Sequence, residues 1–206
     1  MGDNDILKFN LGVNHLFTII PPSQFIKIPW KNGKGTTNEL AISDSGTVDD
    51  FDWRLSIADV VEDGPFSDFS GYQRNLLLIK GKGIHLQHDQ QKTNQLDQLL
   101  DMATFDGANQ TTGKLIAGPV TDFNLITRQG KYHARVNTYR HKQSVELDQY
   151  SLCFVYCLAE ISYLSAQESN LKVMLPAGHL LKILEPHKLN LSITGQQMIV
   201  IHLIPD

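Results

Sequence analysis

The chain has 206 residues, 41% of them hydrophobic and 19% charged, with a formal net charge of −4; this excludes a disordered or coiled-coil chain and allows one large β domain with a sizeable core. No basic tract is present to neutralise a phosphate backbone, so nucleic acid is set aside as a partner. No apolar run reaches the roughly 20 residues that span a bilayer, and the first residues, Met1 to Ile6, lack the basic and apolar regions of a secretory signal, so no membrane partner and a cytoplasmic location are expected.

In chain order, residues 16–20 and 25–28 are two short extended pieces broken by Pro21 and Pro22. Residues 29–39 follow as Pro-Trp-Lys-Asn-Gly-Lys-Gly-Thr-Thr-Asn-Glu. Trp30, Lys31 and Asn32 bring an aromatic wall, a charge and an amide to a turn whose two glycines allow positive φ or close approach. The spacing is not that of a phosphate-binding loop and no helix opens after it, which argues against a nucleotide. The competing reading is a plain surface turn in which Trp30 caps the core. Residues 37–43 form a strand with Thr37, Glu39 and Ala41 on one face.

Residues 51–59 organise the rest. Phe51, Trp53, Leu55 and Ile57 alternate with Asp52, Arg54, Ser56 and Ala58, the period of two that a half-buried strand requires. Arg54 and Ser56 then project from one face about 7 Å apart, half of an anion or amide site. Asp63, Gly64 and Pro65 signal a turn, and residues 66–71 read as a short irregular connection beginning at Phe66. Residues 74–86 read as strand, Gly-Lys-Gly turn, strand; residues 87–98 as a polar loop or hairpin end. After the break at Gly118 and Pro119, Asp122, Asn124 and Arg128 share one face while Phe123 and Leu125 take the other.

The last third is strand after strand, at 132–139, 150–158, 171–175, 180–184, 189–193 and 198–204, with glycine and proline as punctuation. No dozen residues show helical periodicity, so an all-β sandwich or barrel is expected rather than a parallel α/β fold. The likeness of 76–86 to 153–163 suggests a duplicated barrel. Cys153 and Cys157 lie in line on one strand face with no neighbouring histidine in sequence, and read as inert core thiols of a reducing compartment.

Several blocks together carry a family resemblance: Pro-Trp-Lys-Asn-Gly at 29–33, Asp-Trp-Arg at 52–54 with Ser56 and Ala58, Asp-Gly-Pro-Phe-Ser at 63–67, Arg74 with Gly81 and Gly83, Gly118-Pro119 with Asp-Phe-Asn-Leu at 122–125, and Leu-Pro-Ala-Gly at 175–178. In this order they cover most of the chain, and it resembles the HutD/Ves family of double-stranded β-helix proteins. The resemblance implies a bicupin: two jelly-roll-like barrels packed as one unit over 1–206, with halves near 12–112 and 113–206. It also implies a small-molecule-binding or regulatory role, with an acidic intermediate of histidine breakdown such as formylglutamate or formiminoglutamate as ligand, although other members are tied to stress responses. Lys34, Ser70, Gln129 and His179 depart from the family pattern; Gln129 removes one arginine from any two-guanidinium clamp.

Cupins often hold a metal, yet His85 and His88, three apart, point to opposite faces of a strand, and His179 comes too early where Leu181 holds the later ligand position. No metal and no cofactor are therefore expected. The expected ligand set is Trp30, Lys31, Asn32, Thr37, Glu39, Arg54, Ser56, Phe66, Asp122, Asn124 and Arg128, the polar lining of an otherwise apolar barrel. Lys31 and Arg54 suit a carboxylate; Asn32, Thr37, Ser56 and Asn124 suit an amide or formyl group; Glu39 or Asp122 accepts from an amine; Trp30 and Phe66 exclude water. Arg54→Ala is expected to remove ligand binding and leave the fold intact. The expected function is metal-independent binding of a small acidic or amide-bearing metabolite without turnover, as a regulator or accessory of amino-acid catabolism, with room for a homodimer. Alternatives are an isomerase or hydrolase using Glu39 or Asp122 as general base, a structural or interaction module, and a buried polar network, with Arg54 and Asp122 as an internal ion pair, that binds nothing.

Overall fold

The computed structural model describes residues 16–30, 35–148, 152–167, 171–184 and 190–206. Chain order and barrel do not coincide at the start. The strand β1 (Phe17–Ile20) belongs to the second barrel, and only after Pro21 and a 3-10 turn at Pro22–Gln24 does the chain cross to β2 (Ile26–Pro29) in the first. There follow β3 (Thr36–Ile42), β4 (Trp53–Val60), β5 (Gly64–Pro65), β6 (Tyr72–Lys80), β7 (Ile84–His88), β8 (Lys92–Leu96), β9 (Met102–Asp106), β10 (Thr111–Leu115) and β11 (Val120–Arg128). The second barrel is completed by β12 (Tyr132–Tyr139), β13 (Gln143–Glu146), β14 (Leu152–Cys157), β15 (Ser162–Ala166), β16 (Lys172–Leu175), β17 (Leu180–Ile183), β18 (Leu191–Gly195) and β19 (Met198–Pro205). No α-helix occurs among the described residues, so none is long and apolar enough to cross a membrane.

Each barrel is a large sheet facing a small one: β2-β3-β4-β11-β6-β9 with β5-β10-β7-β8, then β1-β17-β14-β19-β12 with β13-β18-β15-β16. This is the bicupin the resemblance implied. The chain leaves the first barrel between Arg128 and Tyr132, not at 112/113, because β10 and β11 still pair with β7, β4 and β6. The Gly81-Lys82-Gly83 turn carries the chain from the large sheet to the small one. Gly81 has φ of 103°, and a Cβ there would lie 2.6 Å from the Pro119 carbonyl oxygen, so only glycine fits.

The two large sheets pack back to back. Leu55, Ile57, Phe123 and Leu125 from the first meet Phe154, Tyr156, Ile199 and Ile201 from the second, with ring pairs Trp53–Phe154 at 5.0 Å and Phe123–Tyr156 at 5.4 Å. Burying each such side chain contributes about 1.5–3 kcal/mol. The strand β4 was expected to be half-buried. Both its faces are buried, because the face opposite Trp53, Leu55 and Ile57 lines the inside of a barrel, not solvent. The common face expected for Thr37, Glu39 and Ala41 is broken by a register shift between Glu39 and Ala41, which leaves Glu39 opposite Ser56 and sends Ala41 to the inter-barrel cluster.

Cys153 and Cys157 are free and sit in the core of the second barrel; burial pushes both thiols up, Cys157 to about 11. A histidine is near after all: His202 stands opposite Cys153 across β14 and β19, its Nε2 accepting the Asp148 N–H at 2.9 Å. The thiols nevertheless stay protonated: burial, joined by the Asp148 charge, outweighs Arg135 at Cys153, and burial outweighs the Ser162 hydrogen bond at Cys157.

Candidate functional site: a charged cavity inside the first barrel

Three adjacent strands, β4, β11 and β6, turn alternate residues into the first barrel. Arg54 and Ser56 come from β4, Asp122 and Asn124 from β11, and Arg74 from β6, all under 9% exposed. They line a cavity of about 820 Å³ together with Thr37, Trp30, Phe66 and Phe69, with Asp49, Asp63 and Asp68 among the acids in its wall. Such a volume suits a small molecule.

Arg54 donates through Nε to Glu39 Oε2 at 2.7 Å, which fixes the guanidinium and leaves its terminal nitrogens without a recorded partner among the described residues. Arg74 Nη2 donates to Asn124 Oδ1 at 2.8 Å, and the Asn124 amide in turn donates to Asp122 Oδ1. Arg74 Nη1 reaches the Ser67 carbonyl only at 3.4 Å. Three rings, Phe66, Phe69 and Phe105, lie 5.2–5.4 Å from the Arg74 guanidinium carbon and hold the cation by their faces. Two buried atoms of this site have no partner among the described residues, Arg74 Nε and Asp122 Oδ2. Burial pushes the Asp122 carboxyl up to about 7, opposed by the Arg74 charge and the Asn124 amide; burial brings Arg74 down to about 10, opposed by Asp122.

A strap over residues 61–71 closes one wall. Phe66 N–H donates to the Thr111 carbonyl and Phe69 N–H to the Gly107 carbonyl, both at 2.9 Å, while Asp63 Oδ1 accepts the Leu115 N–H at 2.8 Å. Gly113 makes room for the Phe66 ring, since a Cβ there would meet it at 2.6 Å. Trp30 is held at the opposite side by Nε1 donating to Thr37 Oγ1 at 2.8 Å.

Of the expected residues, Trp30, Thr37, Arg54, Ser56, Phe66, Asp122 and Asn124 line this one cavity. Glu39 stands behind Arg54 and acts on the cavity through it. Arg128 is a correction: one turn of the alternation beyond Ile126, it bonds Asp50 and Asp52 and stacks over Tyr72 at 4.9 Å, so it secures the segment leading into β4 and does not line the cavity. The pairing of Arg54 with Asp122 is also corrected, since Arg54 takes Glu39 and the charge beside Asp122 is Arg74. Lys31 and Asn32 lie outside the described residues. Sequence reasoning missed Arg74 and Phe69 as lining residues. The signal for Arg74 was its parity with Leu76 and Leu78, a charge on the inward face of a leucine strand.

His85 and His88 do take opposite faces of β7, the first exposed, the second buried against Thr111 Oγ1 at 2.9 Å and Asn94 Oδ1 at 3.1 Å. Among the described residues no three His, Cys, Asp or Glu side chains are grouped to hold a metal ion.

Known proteins share this arrangement of strands. HutD from Pseudomonas fluorescens SBW25 superposes with a TM-score of 0.79 at 30% identity, over 92% of this chain and 99% of that one. A 21.2 kDa Pseudomonas putida protein, named for its place in the 3′ region of hutC, is 40% identical over 118 residues, 57% of this chain. Protein Ves from Escherichia fergusonii is 36% identical over 108 residues, 52% of this chain. The matched stretches span 62% and 56% of those two relatives' own lengths. The HutD family model matches residues 23–201, and the chain belongs to that family.

Proposed function

We propose that the first barrel binds a small acidic metabolite carrying an amide or formyl group, a formylglutamate-like compound, without metal and without turnover, as a regulator or accessory of histidine or related amino-acid catabolism in the cytoplasm. The observation that carries this reading is the placing of two arginines, both under 9% exposed, in one cavity of about 820 Å³ with donors left over. Arg54 is oriented by Glu39 and keeps its terminal N–H groups for a carboxylate, which a guanidinium can grip with two parallel bonds. Arg74, Asn124 and Asp122, linked in one hydrogen-bonded chain, add a cation, an amide and a carboxyl to the same wall. The hutC-region relative supports the histidine pathway.

A thermal-shift series with histidine, urocanate, formiminoglutamate, formylglutamate and glutamate tests this. Stabilisation by one or more of the acids, lost on Arg54→Met/Glu39→Met, is the expected result; no shift with any of them overturns the reading. One observation favours a second reading as an enzyme. A buried carboxyl titrating near neutrality is suited to general acid–base work. Formation of a new species from a bound acid, followed by NMR and lost in Asp122→Asn, would establish it over simple binding.

A further inference from the structure

The inside of the first barrel is charge-balanced before anything enters it. Arg54 is matched by Glu39 at 2.7 Å. Arg74 is matched by Asp122, the two bridged by the Asn124 amide, which accepts from one and donates to the other. Arg54 and Arg74 are the cations of the lining among the described residues. Among the described residues the other charged groups of the lining and its surroundings are acidic: Glu39 on β3 behind Arg54, Asp59 at the exposed end of β4, Glu62, Asp63 and Asp68 on the strap, and Asp49 before β4; His88 on β7 also senses Arg74, and burial lowers its pKa.

An entering carboxylate therefore adds one negative charge to a buried set already at zero. Two carboxylates sharing a guanidinium out of water do not both stay ionised, because one of them takes a proton. Asp122 is the group placed to take it. Its Oδ1 is occupied by Asn124, while its Oδ2 is buried and has no donor to stabilise it as an anion. A proton on Oδ2 removes a buried negative charge from an oxygen that has no donor beside it. Resting on the acid-binding reading of this cavity, we propose that an acid binds here together with one proton from solvent, which Asp122 takes up. No bond of the ligand breaks; the change is one carboxylate becoming one carboxylic acid. The site is thereby selective for anions in a way that depends on proton supply. Affinity for a carboxylate falls as pH rises above neutrality, while affinity for an uncharged amide does not.

Isothermal titration of the full chain with formylglutamate tests this, at about pH 7.5 and about pH 8.5 in HEPES and in Tris, whose different ionisation heats report the protons exchanged. Uptake approaching one proton per bound ligand and a Kd weakened about tenfold over that pH unit are expected. In Asp122→Asn the uptake should vanish and the Kd become flat with pH, with circular dichroism verifying the fold; the wild-type proton count stands without the variant. Binding with no proton uptake, or uptake unchanged in Asp122→Asn, overturns the coupling and leaves the acid-binding reading standing. No binding of formylglutamate at either pH overturns both.

Discussion

Replacing Arg54 should cost the protein far more than a ligand contact. Its guanidinium and the Glu39 carboxylate are 2.7 Å apart with side chains only 8% and 9% exposed, so Arg54→Met leaves a carboxylate inside the barrel with no cation beside it. Breaking a buried pair from one side costs about 3–5 kcal/mol, against about 5–15 kcal/mol for the whole stability of an ordinary domain. Arg54→Met/Glu39→Met removes both charges, fills similar volume and should recover most of that loss. Urea denaturation followed by circular dichroism gives the four corners of the cycle, with Cm shifting at constant m. The pair's coupling should exceed about 2 kcal/mol. Single losses near zero that simply add would show the pair to be screened by solvent and would refute the reasoning. The expectation that Arg54→Ala empties the site and spares the fold is corrected accordingly: loss of ligand response in that variant is confounded by lost stability, and the double methionine variant is the clean probe.

Three further outcomes follow from the same geometry. The Asp122 carboxyl is raised in the folded chain from 3.8 to about 7, so the folded state keeps a proton that the unfolded chain has released between those values. The associated stability is complete below about pH 4 and lost as pH rises through 7, of order 4 kcal/mol in all. Urea melts of Asp122→Asn against wild type over this range should diverge by that fall, and parallel curves would contradict it. Gly107→Ala would put a Cβ 2.2 Å from the Phe69 carbonyl oxygen and 2.8 Å from that of Tyr72, both backbone, so it should cost about 1–3 kcal/mol in the same assay and loosen the strap. Both cysteine thiols should be silent to Ellman's reagent in the native protein and react at the rate of unfolding; fast native labelling would show an open second barrel.

Much of this was readable one strand at a time. The alternation at 51–59 assigned Arg54 and Ser56 to one face, and that at 122–128 did the same for Asp122 and Asn124, because period two is a local property of the chain. Which inward charge meets which was not readable, since it depends on register between strands far apart in sequence. Asn124 lies opposite Leu76 in β6, so Arg74 reaches it diagonally, and Glu39 lies opposite Ser56 in β4, so it too reaches Arg54 diagonally. Arg74 looked like the polar start of a leucine strand. Residues 63–65 looked like a turn and 66–71 like an irregular connection because their bonding partners, Gly107, Thr111 and Leu115, come some 40 to 50 residues later. Arg128 had the right parity but the wrong depth: at the end of β11 it reaches Asp50 and Asp52 before it can reach the cavity.

The two barrels share an architecture and have divided the physical work. At the positions where the first presents Arg54, Ser56, Arg74, Asp122 and Asn124 to its interior, the central strands of the second present Cys153, Val155, Cys157, Leu181, Ile183, Met198 and Val200, which close into a filled core. Buried charges and amides stabilise a fold weakly or not at all, because desolvation offsets most of what their pairing returns. A lone barrel lined like the first would have for its core the cluster around Leu76, Leu78, Ile84, Leu86 and Phe105 and the smaller one of Phe51, Tyr72 and Ile126. Packing its large sheet on that of the second barrel adds Trp53, Leu55, Ile57, Phe123 and Leu125 to a core that never touches the cavity. The polar side of β4 and β11 is thus free to be shaped by a ligand because the apolar side of the same two strands is anchored elsewhere.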